Sequence, residues 1–92
     1  MTTSVRQHAT TVQVRYFASA RAATGMDSEV LTLPAGSSVA EAVLELRGLH
    51  AGALSKVLDA ASFLLDGVAV RDTSIQLPDG AELDVLPPFA GG

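Results

Sequence analysis

The stretch from Ser38 to Leu49 restricts the fold more than any other. Ser38-Val39-Ala40-Glu41 has the pattern of a capping box, with Ser38 as N-cap and Glu41 reaching back to it. Behind it Val39, Ala42, Val43, Leu46 and Leu49 recur at helical spacing, so one face is apolar. Glu41, Glu45 and Arg47 lie off that stripe. A stripe of this kind is ordinarily core rather than a partner surface. The pattern predicts a helix from about 38 to 48, ended by Gly48 or Gly52.

The other well-patterned segments read as strands. Val12 to Phe17 alternates, with Val12, Val14 and Tyr16 on one face and Gln13, Arg15 and Phe17 on the other. Ser28 to Leu33 is a second strand, stopped by Pro34. Between them, Ala18 to Asp27 suits a helical turn closed by Gly25, and residues 53–59 suit another around Leu54, Val57 and Leu58. Phe63-Leu64-Leu65 enters the Asp66-Gly67 turn pair and Val68-Ala69-Val70 leaves it, which is a hairpin signature. Arg71 to Pro78 reads as an irregular connection, Asp79-Gly80 as a turn, and Glu82 to Leu86 as the last strand. One main helix cannot cover both faces of such a sheet. The fold class expected is therefore α+β, with one packed face and one freer face.

Composition narrows the function. The 92 residues are 48% hydrophobic, which suits one compact domain with a modest core. A net charge of −4 argues against nucleic-acid binding, which needs clustered Lys and Arg. No apolar run approaches the ~20 residues of a membrane span. The start is polar without an apolar signal core, so a cytoplasmic location is expected. With no cysteine there is no disulfide, thiolate metal site or cysteine nucleophile. His8 and His50 lack ligand spacing, so no metal and no bound cofactor are expected. Residues 1–11 read as a flexible tail, 12–87 as the domain, and 88–92 as a flexible arm.

That arm carries the chemistry. Pro87 and Pro88 fix their φ angles and cannot donate to a ladder, so they mark where the sheet ends. Phe89 and Ala90 follow, then Gly91 and Gly92. Glycine has no Cβ, so the diglycine can enter a channel too narrow for any side chain, with the Gly92 carboxylate alone at its tip. Six extended residues reach roughly 20 Å, enough to enter a partner's active site. The competing reading is a frayed terminus.

Three stretches together resemble one family. Leu86 to Gly92 is similar to the Pro-Pro-Val-Ala-Gly-Gly ending of the small subunit of molybdopterin synthase, the MoaD family. Tyr16-Phe17-Ala18-Ser19-Ala20-Arg21, closed by Gly25, resembles that family's segment after strand one. Pro78-Asp79-Gly80-Ala81-Glu82 resembles its approach to the last strand. Ala22 departs from the family's usual Glu, and Asp66-Gly67 from its common Asn turn. The resemblance spans residues 12–92. It implies a ubiquitin-like β-grasp, a mixed five-stranded sheet in the order 2-1-5-3-4 packed on one main helix, and a sulfur carrier.

On that reading, Gly92 is adenylylated, converted to a thiocarboxylate, and gives its sulfur to a pyranopterin precursor in molybdenum cofactor biosynthesis. A carboxylate is a poor electrophile until ATP activates it, and the chain has no phosphate-binding loop of its own. It is therefore not an enzyme on its own. The partners implied are the molybdopterin synthase large subunit, a ubiquitin-activating-like adenylyltransferase using ATP and Mg, and a sulfur donor protein. Ordering about four arm residues costs roughly 4–8 kcal/mol, and burying Phe89 returns only ~1.5–3 kcal/mol. An apolar sheet patch is expected to supply the rest: Phe17 first, then Leu86 and Leu65, with Arg21 facing a partner acid. Each apolar residue could instead be core, and Arg21 simply solvated. The alternatives are a sibling carrier for thiamine or cysteine synthesis, and a ubiquitin-like modifier or interaction module.

Overall fold

The computed structural model describes residues 9–88. In chain order the elements are β1 (Ala9–Tyr16), α1 (Ala18–Thr24), β2 (Ser28–Pro34), α2 (Val39–Leu49), α3 (Ala53–Ala60), β3 (Ser62–Leu65), β4 (Val68–Ala69) and β5 (Ala81–Leu86). The five strands form one sheet in the order β2-β1-β5-β3-β4. β1 and β5 pair in parallel at its centre, and every other pairing is antiparallel. This is the mixed β-grasp sheet and strand order the sequence resemblance implied.

The three helices cover one face. Val12, Val14 and Tyr16 on β1 and Leu83 and Val85 on β5 point beneath them, joined by Leu31 and Leu33. From above come Ala20 of α1, Val39, Ala42 and Leu46 of α2, and Leu54 and Leu58 of α3. The alternation read along Val12 to Tyr16 is the alternation of burial observed.

α2 begins as its sequence dictates. The Ser38 side chain accepts from the Glu41 amide at 3.2 Å, and Glu41 Oε1 accepts from the Ser38 amide at 2.8 Å. Two further first-turn amides are met from outside the helix: Val39 donates to the Ile75 carbonyl at 3.0 Å and Ala40 to that of Thr73 at 2.9 Å. The irregular 71–78 connection is thus the backbone cap of α2, and its Leu77 is buried in the core. At the far end, Arg47 Nη1 donates to Ser55 and lies 2.9 Å from an Asp59 oxygen, tying α2 to α3.

Two turns follow their chemistry. Asp66 and Gly67 both have positive φ, 49° and 83°, as a two-residue hairpin turn with the right twist requires. Gly25 ends α1 in the left-handed region at φ 76° and donates to the Arg21 carbonyl.

Several expectations need correction. Residues 9–11, expected in the tail, belong to β1. They pair with Thr32 to Pro34, and Thr11 is held from its other side by Asp79 and Gly80. Their polarity hid a strand end, because threonine suits a pleated edge as well as a loop. Leu49 is 52% exposed rather than core, since the stripe rotates away from the sheet by the last turn. α2 ends neither at Gly48 nor at Gly52 but on His50 as C-cap, and Gly52 instead caps the start of α3. The turn expected at 53–59 is a full eight-residue helix, α3, which covers the sheet beside the main helix α2. β4 is only two residues long and leaves Val70 outside it.

Beneath α2, Tyr16 donates its phenol to Glu29, and the His50 ring bonds the same carboxylate oxygen. Tyr16 and His50 also meet edge to face. This ties β1, β2 and the end of α2 together.

Two outcomes follow. Leu46 is fully buried, so Leu46→Ala should lower unfolding free energy by about 2–5 kcal/mol in urea titration. Burial, then the Glu29 carboxylate, pushes the Tyr16 phenol well above its ordinary value. The unfolded chain releases that proton near pH ~10 while the folded one retains it, so stability should fall as pH rises above that point. Tyr16→Phe should flatten that alkaline loss in thermal melts from pH 8 to 11.

Candidate functional site

Strand register decides which residues face away from the helices. Val14 lies opposite Leu83 and Tyr16 opposite Val85, so the alternate residues Arg15, Glu82 and Asp84 share the open face. On β3, Phe63 pairs with Val85 and Leu65 with Leu83, which puts both on the covered face. Leu64 pairs with Asp84 and Ser62 with Leu86, which puts those on the open face. Leu65, expected in the docking patch, is therefore packed against the core, and Leu64 takes its place outside. Three apolar residues in a row gave no phase. Only the pairing with β5 supplies it.

An ion pair organises the open face. Asp84 is a carboxylate on the uncovered face of the sheet, yet its side chain is only 6% exposed. Arg15 covers it in a two-pronged contact, Nε to Oδ1 at 2.8 Å and Nη2 to Oδ2 at 3.0 Å. The hydrogen bond to Asp84 raises the Arg15 pKa further, against partial desolvation. Glu82 lies 3.3 Å from Nε on the other side. The guanidinium, held flat, sits 5.3 Å from the centroid of the Phe17 ring, within cation–π range.

Phe17 is half-buried and sits at the N-cap of α1, where its amide donates to the Val85 carbonyl. The next residue, Ala18, has φ 49°, a left-handed conformation that turns the chain sharply out of β1. Arg21 is exposed and only loosely tied to Asp27, at 3.5 Å. Arg15, Phe17, Arg21, Asp27 and Ser28 line a hollow of about 240 Å³ at this end of the sheet.

The arm leaves from the same end. β5 runs parallel to β1, and Val85 faces Tyr16, so Leu86, Pro87 and Pro88 depart beside Phe17. Leu86 and Pro87 are half-buried and Pro88 is exposed. The structure thus gathers Phe17, Arg21, Leu86, Pro87 and Pro88 at one pole. Phe89, Ala90, Gly91 and Gly92 lie outside the described residues. Reading the residues in sequence missed Arg15, Asp84 and Leu64. The available signal was a charge alternating with apolar residues on two strands that end at the same motif. Among the described residues no three His, Asp or Glu side chains gather as a metal site, and no helix is long and apolar enough to cross a membrane.

Removal of either member of the ion pair leaves a charge on the sheet that its partner had satisfied. Arg15→Ala and Asp84→Ala should each lower the melting temperature. The double variant should lose less than the sum of the two, as a double-mutant cycle on thermal melts would read.

The chain is similar over 82 residues, at 29% identity, to a molybdopterin synthase sulfur carrier subunit of Chlamydomonas reinhardtii, covering 88% of this chain and 98% of that one. It superposes on small archaeal modifier protein 1 from Haloferax volcanii with a TM-score of 0.79 at 26% identity, covering 89% of this chain and 99% of the other. It shares its fold with a chain in the complex of subunits 1 and 2 of molybdopterin-converting factor from Helicobacter pylori, with a TM-score of 0.67 at 21% identity, covering 89% and 99% of the two chains. The family model described as ThiS family matches residues 14–92, and the chain belongs to that family.

Proposed function

We propose that the protein is a sulfur carrier and the small subunit of a molybdopterin synthase. The observation that carries this reading is where the base of the arm, Pro87 and Pro88, leaves the sheet. That base leaves β5 beside an open sheet face whose Phe17, Leu64 and Leu86 are not covered by the protein's own helices. A partner gripping that face would receive the segment Phe89-Ala90-Gly91-Gly92 directly. Likeness to a sulfur carrier subunit supports the same reading, as does the complex of subunits 1 and 2 in which the H. pylori chain is found.

In the proposed cycle an adenylyltransferase joins the Gly92 carboxylate to the α-phosphate of ATP, releasing pyrophosphate. A donor persulfide then displaces AMP to form an acyl disulfide at Gly92, and a thiol cleaves its S–S bond, leaving a C-terminal thiocarboxylate and a disulfide between the thiol and the donor. The thiocarboxylate sulfur bonds to a pyranopterin precursor in the large subunit's active site, and water then hydrolyses the acyl C–S bond, leaving the sulfur on the precursor and the carrier as a carboxylate. This chain's own part is positional. The Arg15–Asp84 pair holds Phe17, Phe17 and Leu86 flank the base of the arm, and the glycines enter a narrow channel. With a net charge of −4, the carrier should associate faster with a basic partner surface at low salt.

A second reading has its own support. Small archaeal modifier protein 1 is a close structural match, and a modifier would use the same activated Gly92 to form an amide with a lysine of another protein.

One experiment separates them. Incubated with ATP, magnesium, an activating enzyme and a sulfur donor, the chain should gain the mass of one oxygen replaced by sulfur at Gly92. That product, with a synthase large subunit and precursor, should yield the dithiolene. Deleting Gly92 should leave folding intact but retract the carboxyl by ~3.3–3.6 Å, and a misplacement of even ~1 Å can cost about a hundredfold in rate. Amide-linked adducts without sulfur transfer would favour the modifier. Failure of any activating enzyme to adenylylate Gly92 would falsify both.

A further inference from the structure

The two edges of the sheet are built differently. β4 is two residues long and offers little to pair with. β2 runs the seven residues Ser28–Pro34 with no lysine or arginine along it. Its one charge, Glu29, is engaged beneath α2 by Tyr16 and His50. Val30, midway along, is 66% exposed.

Strand register decides which backbone groups of β2 face outward. Tyr16 donates its amide to the Asp27 carbonyl. Along an antiparallel ladder, hydrogen-bonded pairs recur at every second residue. Glu29, Leu31 and Leu33 therefore bond β1, while Val30 and Thr32 turn their N–H and C=O outward. Thr11, which faces Thr32, accordingly spends its own carbonyl on Gly80 at its other side. No backbone bond reaches Val30 or Thr32 from another described segment.

A groove continues from this edge. A hollow of about 320 Å³ lies beside the end of β2, at the pole away from the arm, walled by Leu33, Pro34, Glu41, Leu44 and Glu45. Leu44 is 69% exposed. Glu41 and Glu45 stand one turn apart on α2, a spacing at which like charges repel. Neither has an ion-pair partner among the described residues.

We propose that the β2 edge takes up an extended basic segment of another protein as an added strand, with a long cationic side chain lying over Leu44 to reach Glu41 and Glu45. A strand brings the N–H and C=O partners that Val30 and Thr32 lack. It sends every second side chain toward the helices and the others to the open face. A lysine or arginine in the first set covers Leu44 with its stem and meets the carboxylates with its head. An apolar residue in the second set packs beside Val30. A second copy of this chain fits less well, since it brings a net charge of −4 to an acidic rim. The contact goes beyond the sulfur-carrier reading and does not involve Gly92.

The probe is an acetylated Lys-Val-Lys-Val-Lys-Val peptide, mixed with the full ¹⁵N-labelled chain. At saturation it should slow hydrogen exchange of the Val30 and Thr32 amides about tenfold, with a smaller change at Leu31 and Leu33, which already bond β1. Glu45→Lys, at an exposed position, should weaken binding about fivefold to tenfold without changing the fold. Thr32→Pro removes an outward N–H and should abolish binding, with its amide spectrum reporting whether β1 and β2 still pair. A Glu-Val-Glu-Val-Glu-Val peptide should not bind. Shifts confined to α2, with no slowing at Val30 and Thr32, overturn the proposal. So does undiminished binding to the Glu45→Lys variant, equal binding of the Glu-Val peptide, or no binding of the Lys-Val peptide at millimolar concentration. Slowing that rises with protein concentration in the absence of peptide also overturns it, assigning the edge to a second copy.

Discussion

The parallel pairing of β1 with β5 is the constraint on which the rest depends. It joins the first and last strands across nearly the whole sequence, with Val12 opposite Ala81 and Tyr16 opposite Val85. Closing so long a loop costs entropy that local contacts cannot recover, so the pair must be heavily buried to persist. It is: Val14, Leu83 and Val85 have no exposure, and the helices between the two strands lie over them. Because the strands run in the same direction, the end of β1 and the end of β5 coincide. The start of α1 and the base of the arm are neighbours for that reason alone.

The same pairing has a polar consequence on the other face. It sets Arg15 opposite Asp84, and the two-pronged contact lets a carboxylate be almost wholly covered on a sheet face without helices. An arginine held by both prongs presents a flat guanidinium, and Phe17 lies against it. The open face is therefore firm where it meets the base of the arm. On the proposed function, a partner docking there would have little side-chain ordering to provide. Asp27 and Glu82 keep this pole from being simply basic or simply apolar.

The helical side works by division of labour. α2 carries its own N-cap, yet two of its first amides depend on carbonyls from the connection after β4. That connection has no regular structure because its backbone is committed to capping α2 and bridging Ser38 to Gln76. α3 adds Leu54 and Leu58 to the core and is latched to α2 by Arg47. With few aromatic residues, the core relies on many small aliphatic contacts.

Local patterns determined much of this protein unaided. The capping box, the alternation from Val12 to Tyr16, the Asp66-Gly67 turn and the Gly25 stop each follow from bonds within a few residues, and each stands where the residues place it. The strand order followed from resemblance rather than periodicity. What only the tertiary structure decided is phase and partnership. Phe63-Leu64-Leu65 has no alternation, so β5 had to choose which leucine faces outward, and it chose Leu64. Residues 9–11 look like a tail until Pro34 and Asp79 are seen beside them. Arg15 and Asp84 are ordinary charges in sequence, 69 residues apart, and become a pair only when β1 meets β5. Short-range hydrogen bonds and side-chain periodicity are written along the chain, whereas strand register and long-range charge pairing exist only once distant segments have closed around a common core.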